Sequence, residues 1–284
     1  VPDDEDYPPM LRGLGDAPLG LFVRGRLVGG PVAAVVGSRS ATPYGRQVAR
    51  LLGEELAGAG VVVASGMARG IDAAAHEGTM ASGGATWAVW GTGPDRIYPP
   101  EHAALAEEIA RTGAILTEYP PGTPPRRHHC PQRNRILAGL ANVVVVVEAA
   151  ARSGALITAR LALEEGREVM AVPGNIFSEL SVGPNTLLRV GARPLLTPRD
   201  LFDALGVEPA AAEHRAGTNS LLSLFEGGEA LTADEFAQRA AVDPASAAAE
   251  LLKLELDGEI ARSPDGRYSL VRPPLPARRD GGGP

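Results

Sequence analysis

From residue 32 the chain alternates short apolar runs with amphipathic stretches. The runs are VAAVV (32–36), VVVA (61–64), TWAVW (86–90), AILTE (114–118), VVVVVE (143–148) and EVMAV (168–172). The intervals carry the apolar period of a helix, as in GRQVARLLGEELAGAG (45–60). Near-continuous apolar runs of strand length, joined by helical crossovers, predict an α/β domain with a parallel, doubly wound sheet covered on both faces. Right-handed crossovers place every strand-to-helix loop on one edge. Ligands of open α/β sheets bind beyond that edge.

Those loops collect the arginines. GSRS after the first run bears Arg39, SGMARGID after the second bears Arg69, and GTGPDRIYPPEH after the third bears Arg96. YPPGTPPRRHHCPQRNRI after the fourth carries Arg126, Arg127, Arg133 and Arg135, and AAARSGALIT after the fifth carries Arg152. Charged loops are ordinary at any one position; five in succession on one edge point to an anion. Gly37, Gly66, Gly70 and Gly154 are expected to let backbone approach that anion, with helix N-termini adding oriented N–H groups.

Past a connector at 206–217, NSLLSLFEG (219–227), TADEFAQRA (232–240) and PASAAAELLKLELDG (244–258) read as three short helices. EIARSPDGRYSLV (259–271) reads as a hairpin turning at Asp265-Gly266. Together they predict a winged-helix module over 218–271, usually a DNA reader. Its last helix, however, sets Glu250, Glu255 and Asp257 against Lys253, a poor surface for a polyanion. Protein contact or a structural cap is the expected role. The tail 272–284 reads as disordered, and residues 1–30 as an N-terminal extension of a core at 31–205.

Composition narrows the chemistry. The formal charge of −7 argues against a nucleic-acid partner until it is divided along the chain. Residues 31–205 hold 16 Arg and 16 acidic residues, whereas 217–271 hold four basic and ten acidic ones. The large middle is neutral, with its cations gathered in loops. Of 27 basic residues only Lys253 is lysine, so no Gly-Lys-Ser/Thr phosphate loop exists. G-x-G-x-x-G is absent too, and no cofactor is expected. His128 and His129 beside Cys130 do not make a metal site by spacing. A single cysteine excludes an intramolecular disulfide and fits a reducing cytoplasm. No apolar run has membrane-spanning length.

The ordered series VVGSRSATPYG, VVASGMARGIDAAAHEG, ATWAVWGTGPDRIYPPEH, RNRILAGLANVVVVVEA, RSGALITARLALEEGREVMAVPG and GPNTLLRVGA resembles the DprA/Smf family of DNA-processing proteins. The resemblance covers about residues 7–205, and the small module is similar to that family's winged-helix domain. It implies an extended Rossmann-like domain that binds and protects single-stranded DNA, forms a homodimer, and loads RecA during natural transformation and recombination. Single-strand-binding protein is a further implied partner. The family's usual N-terminal helical domain is not visible, and a chain opening on Val1 reads as a fragment.

By similarity Gly37, Ser38 and Arg39 match the first phosphate loop, Ser65, Gly66, Arg69 and Gly70 the second, and Ser153, Gly154 and Thr158 the fifth. Arg127 falls where a DNA-contacting lysine is common, with Arg126 beside it a further candidate contact, and Arg133, Asn134 and Arg135 match the family's R-N-R. The anion awaited by GSR is then a row of phosphates on one strand. Asp72 and His76 read as loop-locking hydrogen-bond partners rather than an acid/base pair. Cys130 departs from the pattern, because the family has an aromatic there suited to stacking on a base. Either a neighbouring imidazole substitutes or phosphate contacts carry more of the binding. The rival reading is a nucleoside-monophosphate phosphoribohydrolase on a related core. Its P-G-G-x-G-T-x-x-E loop aligns with ARSGALITARLALEE, where Leu161 stands in place of the glutamate. Without that acid/base group a binding protein, not an enzyme, is expected.

Overall fold

The computed structural model describes residues 1–208, 221–225, 230–256, 259–263 and 265–271. It contains two compact units, residues 1–210 and 211–284. The first runs α1 (Pro9–Arg12), β1 (Phe22–Gly25), β2 (Val32–Val36), α2 (Pro43–Gly58), β3 (Val62–Ser65), α3 (Ile71–Ala81) and β4 (Thr86–Val89). It continues through α4 (Ala103–Thr112), β5 (Ala114–Thr117), α5 (His129–Leu140), β6 (Val143–Val146), α6 (Gly154–Glu164), β7 (Glu168–Ala171), α7 (Val182–Arg189), β8 (Arg193–Pro194) and α8 (Pro198–Leu205).

The sheet order is β1-β5-β4-β3-β2-β6-β7-β8. Beginning at β2, the chain steps outward through β3, β4 and β5, then returns to build β6, β7 and β8 on the other flank. All neighbours pair in parallel except β1 and β5, which are antiparallel. The six strands read from the sequence pair in parallel as expected; β1, not among them, is an exposed antiparallel edge strand whose FVRG lacks the continuous apolar signal of a strand buried on both faces.

Alternation along the buried strands sends side chains to two cores. Val32, Ala34, Val36, Val144 and Val146 pack with Leu11, Ile136 and Ala159 from α1, α5 and α6. Ala33, Val35, Val143 and Val145 pack with Leu52, Ile71 and Phe202 from α2, α3 and α8. Residues 1–30 thus contribute α1 and β1 to the α/β unit, with Tyr7, Leu11 and Leu14 buried in its core. The sheet changes winding direction between β2 and β6, and two strand-to-helix loops, 37–42 and 147–153, part there.

The second unit has its own apolar core, including Phe225, Leu231, Phe236, Leu251, Leu254 and Ile260. Its described elements are α9 (Ala233–Ala240), α10 (Pro244–Leu256), β9 (Ile260–Arg262) and β10 (Tyr268–Leu270). Thr232 and Glu235 form a reciprocal capping box at α9, and β9 pairs antiparallel with β10 across the expected turn, with Gly266 at φ 83°. Of the first expected helix, 219–227, only 221–225 are described, and they hold a 3-10 turn at Leu222–Phe225. The connector beyond 208 and the tail 272–284 lie outside the described residues.

Candidate functional site

The loops at the carboxyl edge are fitted to one another before any ligand is considered. Ile71 N donates to Ser38 O at 3.2 Å, joining the β2 and β3 loops. Gly70 sits at φ 78°, and a Cβ there would lie 2.3 Å from Ser38 O. A Cβ on Gly37 would lie 2.5 Å from Ile71 Cγ1, and one on Gly66 would lie 2.6 Å from Arg133 Nη2. No side chain fits at these three positions, so glycine is required there for the loops to pack, and Gly37 and Gly66 still line the cavity described below. Gly154, in contrast, has nothing within 4 Å of its would-be Cβ.

The helix after GSR is capped from within the chain. Thr42 caps α2 through Gly45 N at 3.1 Å, and buried Glu148 accepts from both Thr42 N and Thr42 Oγ1. A carboxylate thus already occupies the positive end of α2. The same contact clasps the β2 loop to the end of β6. At α6 the cap is Ser153, whose Oγ accepts from Ala155 N at 3.3 Å.

Two cavities open on this edge. One, of about 390 Å³, is lined by Arg69, Trp90, Tyr98 and Arg126 among others. The second, of about 480 Å³, is lined by Ser38, Arg152, Ser153, Gly154 and Thr158 among others. Arg39, Gly66, Ala68, Arg127, Cys130 and Arg133 line both, so the cavities form one continuous groove. The exposed side chains of Arg39, Arg126, Arg127 and Arg152 have no hydrogen-bond or ion-pair partner among the described residues. Arg69 is held by Glu101.

Beneath them lies Arg133, 5% exposed. Its Nη1 donates to Gly66 O at 3.1 Å, while its Nε has no partner among the described residues. Burial lowers the Arg133 pKa, with Asp72 among the neighbours opposing that shift. Asp72 Oδ2 accepts from Gly66 N at 3.1 Å and Ala68 N at 3.3 Å, the expected loop lock. Burial raises its pKa, against the pull of Arg133 and those two N–H groups. His76 locks strands rather than a loop: its Nδ1 lies 2.7 Å from Thr86 Oγ1, which donates to Val63 O. Burial, with His102 and Arg133 adding to it, lowers its pKa to about 3. Asp72 is the one carboxylate lining either cavity, and it is engaged with backbone. Neither lining includes a histidine. Unpaired donors above a neutralised floor suit an extended anion.

The remaining expected residues divide. Asn134 Nδ2 donates to Gly154 O at 3.2 Å, tying α5 to the start of α6 at the groove wall. Thr158 is buried in that wall. Ser65 is fully buried, donating to Val35 O at 2.6 Å, and lies outside both linings. Arg135 is not gathered into the groove: it bridges Glu118 at 2.6 Å and Asp16 at 3.2 Å. His129, a possible substitute for the missing aromatic, is buried and stacked on Tyr119 at 4.1 Å. Its Nδ1 lies 2.9 Å from Gly91 O. That imidazole is committed to the fold.

Sequence reasoning missed Glu148, Trp90 and Tyr98. A lone acid ending the apolar run VVVVVE was the available signal for Glu148, since a buried carboxylate needs donors. Trp90 is 2% exposed and lines the first cavity, and its Nε1 lacks a partner among the described residues.

The fold and groove define a doubly wound α/β protein with an arginine-lined edge, joined to a small second unit. A family model described as DNA recombination-mediator protein A matches residues 1–206, and a DprA winged helix domain model matches 207–266. The chain belongs to the DprA/Smf family of DNA-processing proteins. Protein Smf of Escherichia coli is 40% identical over 291 residues, covering 95% of this chain and 76% of the relative. The X-ray structure of DNA processing protein A from Streptococcus pneumoniae superposes with a TM-score of 0.67 at 41% identity, covering 70% of this chain and 71% of that one. The protein from Helicobacter pylori, whose structure is described in terms of its single-stranded DNA binding mode, gives 0.63 at 30% identity, covering 71% and 93%. The small unit is thereby the family's winged-helix domain. Among the described residues no helix is long and apolar enough to cross a membrane.

Proposed function

We propose that this chain binds single-stranded DNA along the carboxyl edge of its α/β sheet. The observation that carries the reading is the set of four unpaired arginines, Arg39, Arg126, Arg127 and Arg152, around one groove. Guanidinium groups fork onto phosphate oxygens, and side chains without internal partners give up no ion pair to do so. Gly37, Ser38, Ser153, Gly154 and Thr158 form the uncharged walls between these charges. Arg133, Asn134, Ser65, Gly66, Gly70 and Asp72 position the loops. Arg69 engages a phosphate after leaving Glu101, and Arg135 serves the fold. The groove is recessed between loops, which favours a flexible single strand over a rigid duplex.

The same reading makes the protein a cytoplasmic homodimer that protects incoming strands and passes them to RecA in natural transformation, with single-strand-binding protein as a neighbour on the DNA. It is a binding protein, not an enzyme. Leu161 packs partly buried against the core where a hydrolase of related fold needs a carboxylate.

Competition fluorescence anisotropy with labelled oligo-dT tests the reading. Unlabelled oligo-dT is expected to displace the probe far more effectively than matched duplex, with binding that weakens as salt rises. Equal competition by duplex, or binding indifferent to salt, overturns it.

A further inference from the structure

The loop between β7 and α7 lies on the same edge, next to the loop that carries Arg152. It is built firmly. Asn185 Oδ1 accepts from Gly174 N at 3.1 Å, and Asn185 Nδ2 donates to Gly174 O at 3.0 Å. Asn175 Oδ1 accepts from Phe177 N at 2.9 Å. Ala149, in the β6 loop, donates its N–H to Leu180 O at 2.7 Å and accepts from Gly183 N at 2.8 Å. At the tip of this ordered loop stand Ile176, 81% exposed, and Phe177, 89% exposed. An ordered backbone here displays an aromatic ring that its own chain scarcely touches.

We propose that Phe177, with Ile176 beside it, is a stacking platform for unpaired bases of the strand where it leaves the arginine-lined groove past β6. This inference rests on the function proposed above. Continuity selects the occupant. Phe177 is three residues from Leu180, hence no more than about 11 Å along the chain from the contact with the β6 loop. At the other end of the groove, half-exposed Tyr98 lines the cavity beyond β4. From β4 through β3, β2 and β6 to β7 are four strand spacings, or about 19 Å. Arginines hold phosphates along it, and an aromatic stands at each end. Cys130 offers no ring and His129 is committed to Tyr119, leaving exposed His128, edge-on to His129, as the imidazole nearby. Phe177 supplies a stacking ring from another loop.

The test is oligo-dT binding by Phe177→Ala, Phe177→Leu and Phe177→Trp in the full chain, with Arg39→Ala alongside. Phe177→Ala is expected to weaken binding about 5- to 150-fold. The slope of log K against log salt stays that of the parent, because no phosphate contact is lost. Phe177→Trp restores affinity and its fluorescence is quenched by oligo-dT, whereas Phe177→Leu does not restore it. Parent-like binding by Phe177→Ala, or by Phe177→Leu, overturns the inference. So does a halved mass for Phe177→Ala in light scattering, which assigns the loop to self-association. If Arg39→Ala loses affinity while Phe177→Ala does not, this inference alone fails; a parent that does not bind oligo-dT removes the proposed function itself.

Discussion

In the α/β unit, Arg39, Arg126, Arg127 and Arg152 stand exposed around a groove with no partner among the described residues. In the winged-helix unit, Arg267 donates to Ala230 O at 2.9 Å and pairs with Glu235 at 3.2 Å, and Arg262 lies over the Tyr268 ring at 5.6 Å. Arg239 donates to Leu224 O at 3.0 Å. The small unit uses its arginines to hold its own elements together, within a segment of four basic and ten acidic residues. The large unit leaves them unmatched where its loops converge. Residue type alone does not identify an anion site; freedom from internal partners, concentrated in one place, does.

The groove exists only if the loops stay fitted together, so the largest expected effect comes from breaking that fit. Gly70→Ala puts a Cβ 2.3 Å from Ser38 O at a φ of 78°. Strain and overpacking together cost about 3–5 kcal/mol of stability. Urea unfolding of the full chain checks this, with Gly58→Ala as control, since nothing lies within 4 Å of a Cβ there. An unchanged midpoint for Gly70→Ala would show that the loops do not depend on that contact.

Acid attacks the same region through His76. Its pKa is about 3 in the folded chain, lowered mainly by burial from the ordinary 6.5. Between those values the unfolded chain holds a proton that the folded chain does not. Stability therefore falls as pH drops from 6.5 towards 3, by up to about 1.4 kcal/mol per pH unit. His76→Gln is expected to remove that component, measured as the difference between parent and variant midpoints across the range. Parallel curves would mean that His76 is not the titrating group.

On the other side of the comparison, Arg267→Ala breaks a pair that is nearly half exposed. Up to about 1 kcal/mol of the winged-helix unit's stability is expected to go, while oligo-dT affinity stays put. A large loss of affinity would move the DNA site towards that unit. Smallest is Gly154→Ala. It meets nothing within 4 Å and is expected to gain about 0.4–1 kcal/mol of stability. If DNA backbone comes against that open Cα, affinity falls even as stability rises; a parent-like affinity leaves Gly154 outside the contact.

The sheet was legible because its six main strands are apolar runs of unmistakable length, and α9 because Thr232 and Glu235 announce its start. β1 was not, since FVRG is an edge strand whose burial is set by β5 and α4 rather than by its own pattern. The arginine loops could be read from the order of strands. The division of labour within them could not. Arg133 and Arg135 are two residues apart on one helix, yet one floors the groove and the other bridges Glu118 and Asp16, a contact from the N-terminal segment. Nor does GSR reveal that Glu148, more than a hundred residues on, already fills the helix end behind it. These assignments depend on which segments meet across the sheet, and sequence spacing carries no record of that.

The salt dependence of oligo-dT binding by Arg39→Ala and Arg127→Ala tests the central claim most directly. Each variant is expected to fold like the parent, because neither side chain has a partner to lose, and to bind about 10- to 150-fold more weakly. The slope of log K against log salt falls by about 0.7 for each phosphate released. Two variants that fold normally and bind with the parent's affinity and slope would place the DNA somewhere other than this groove.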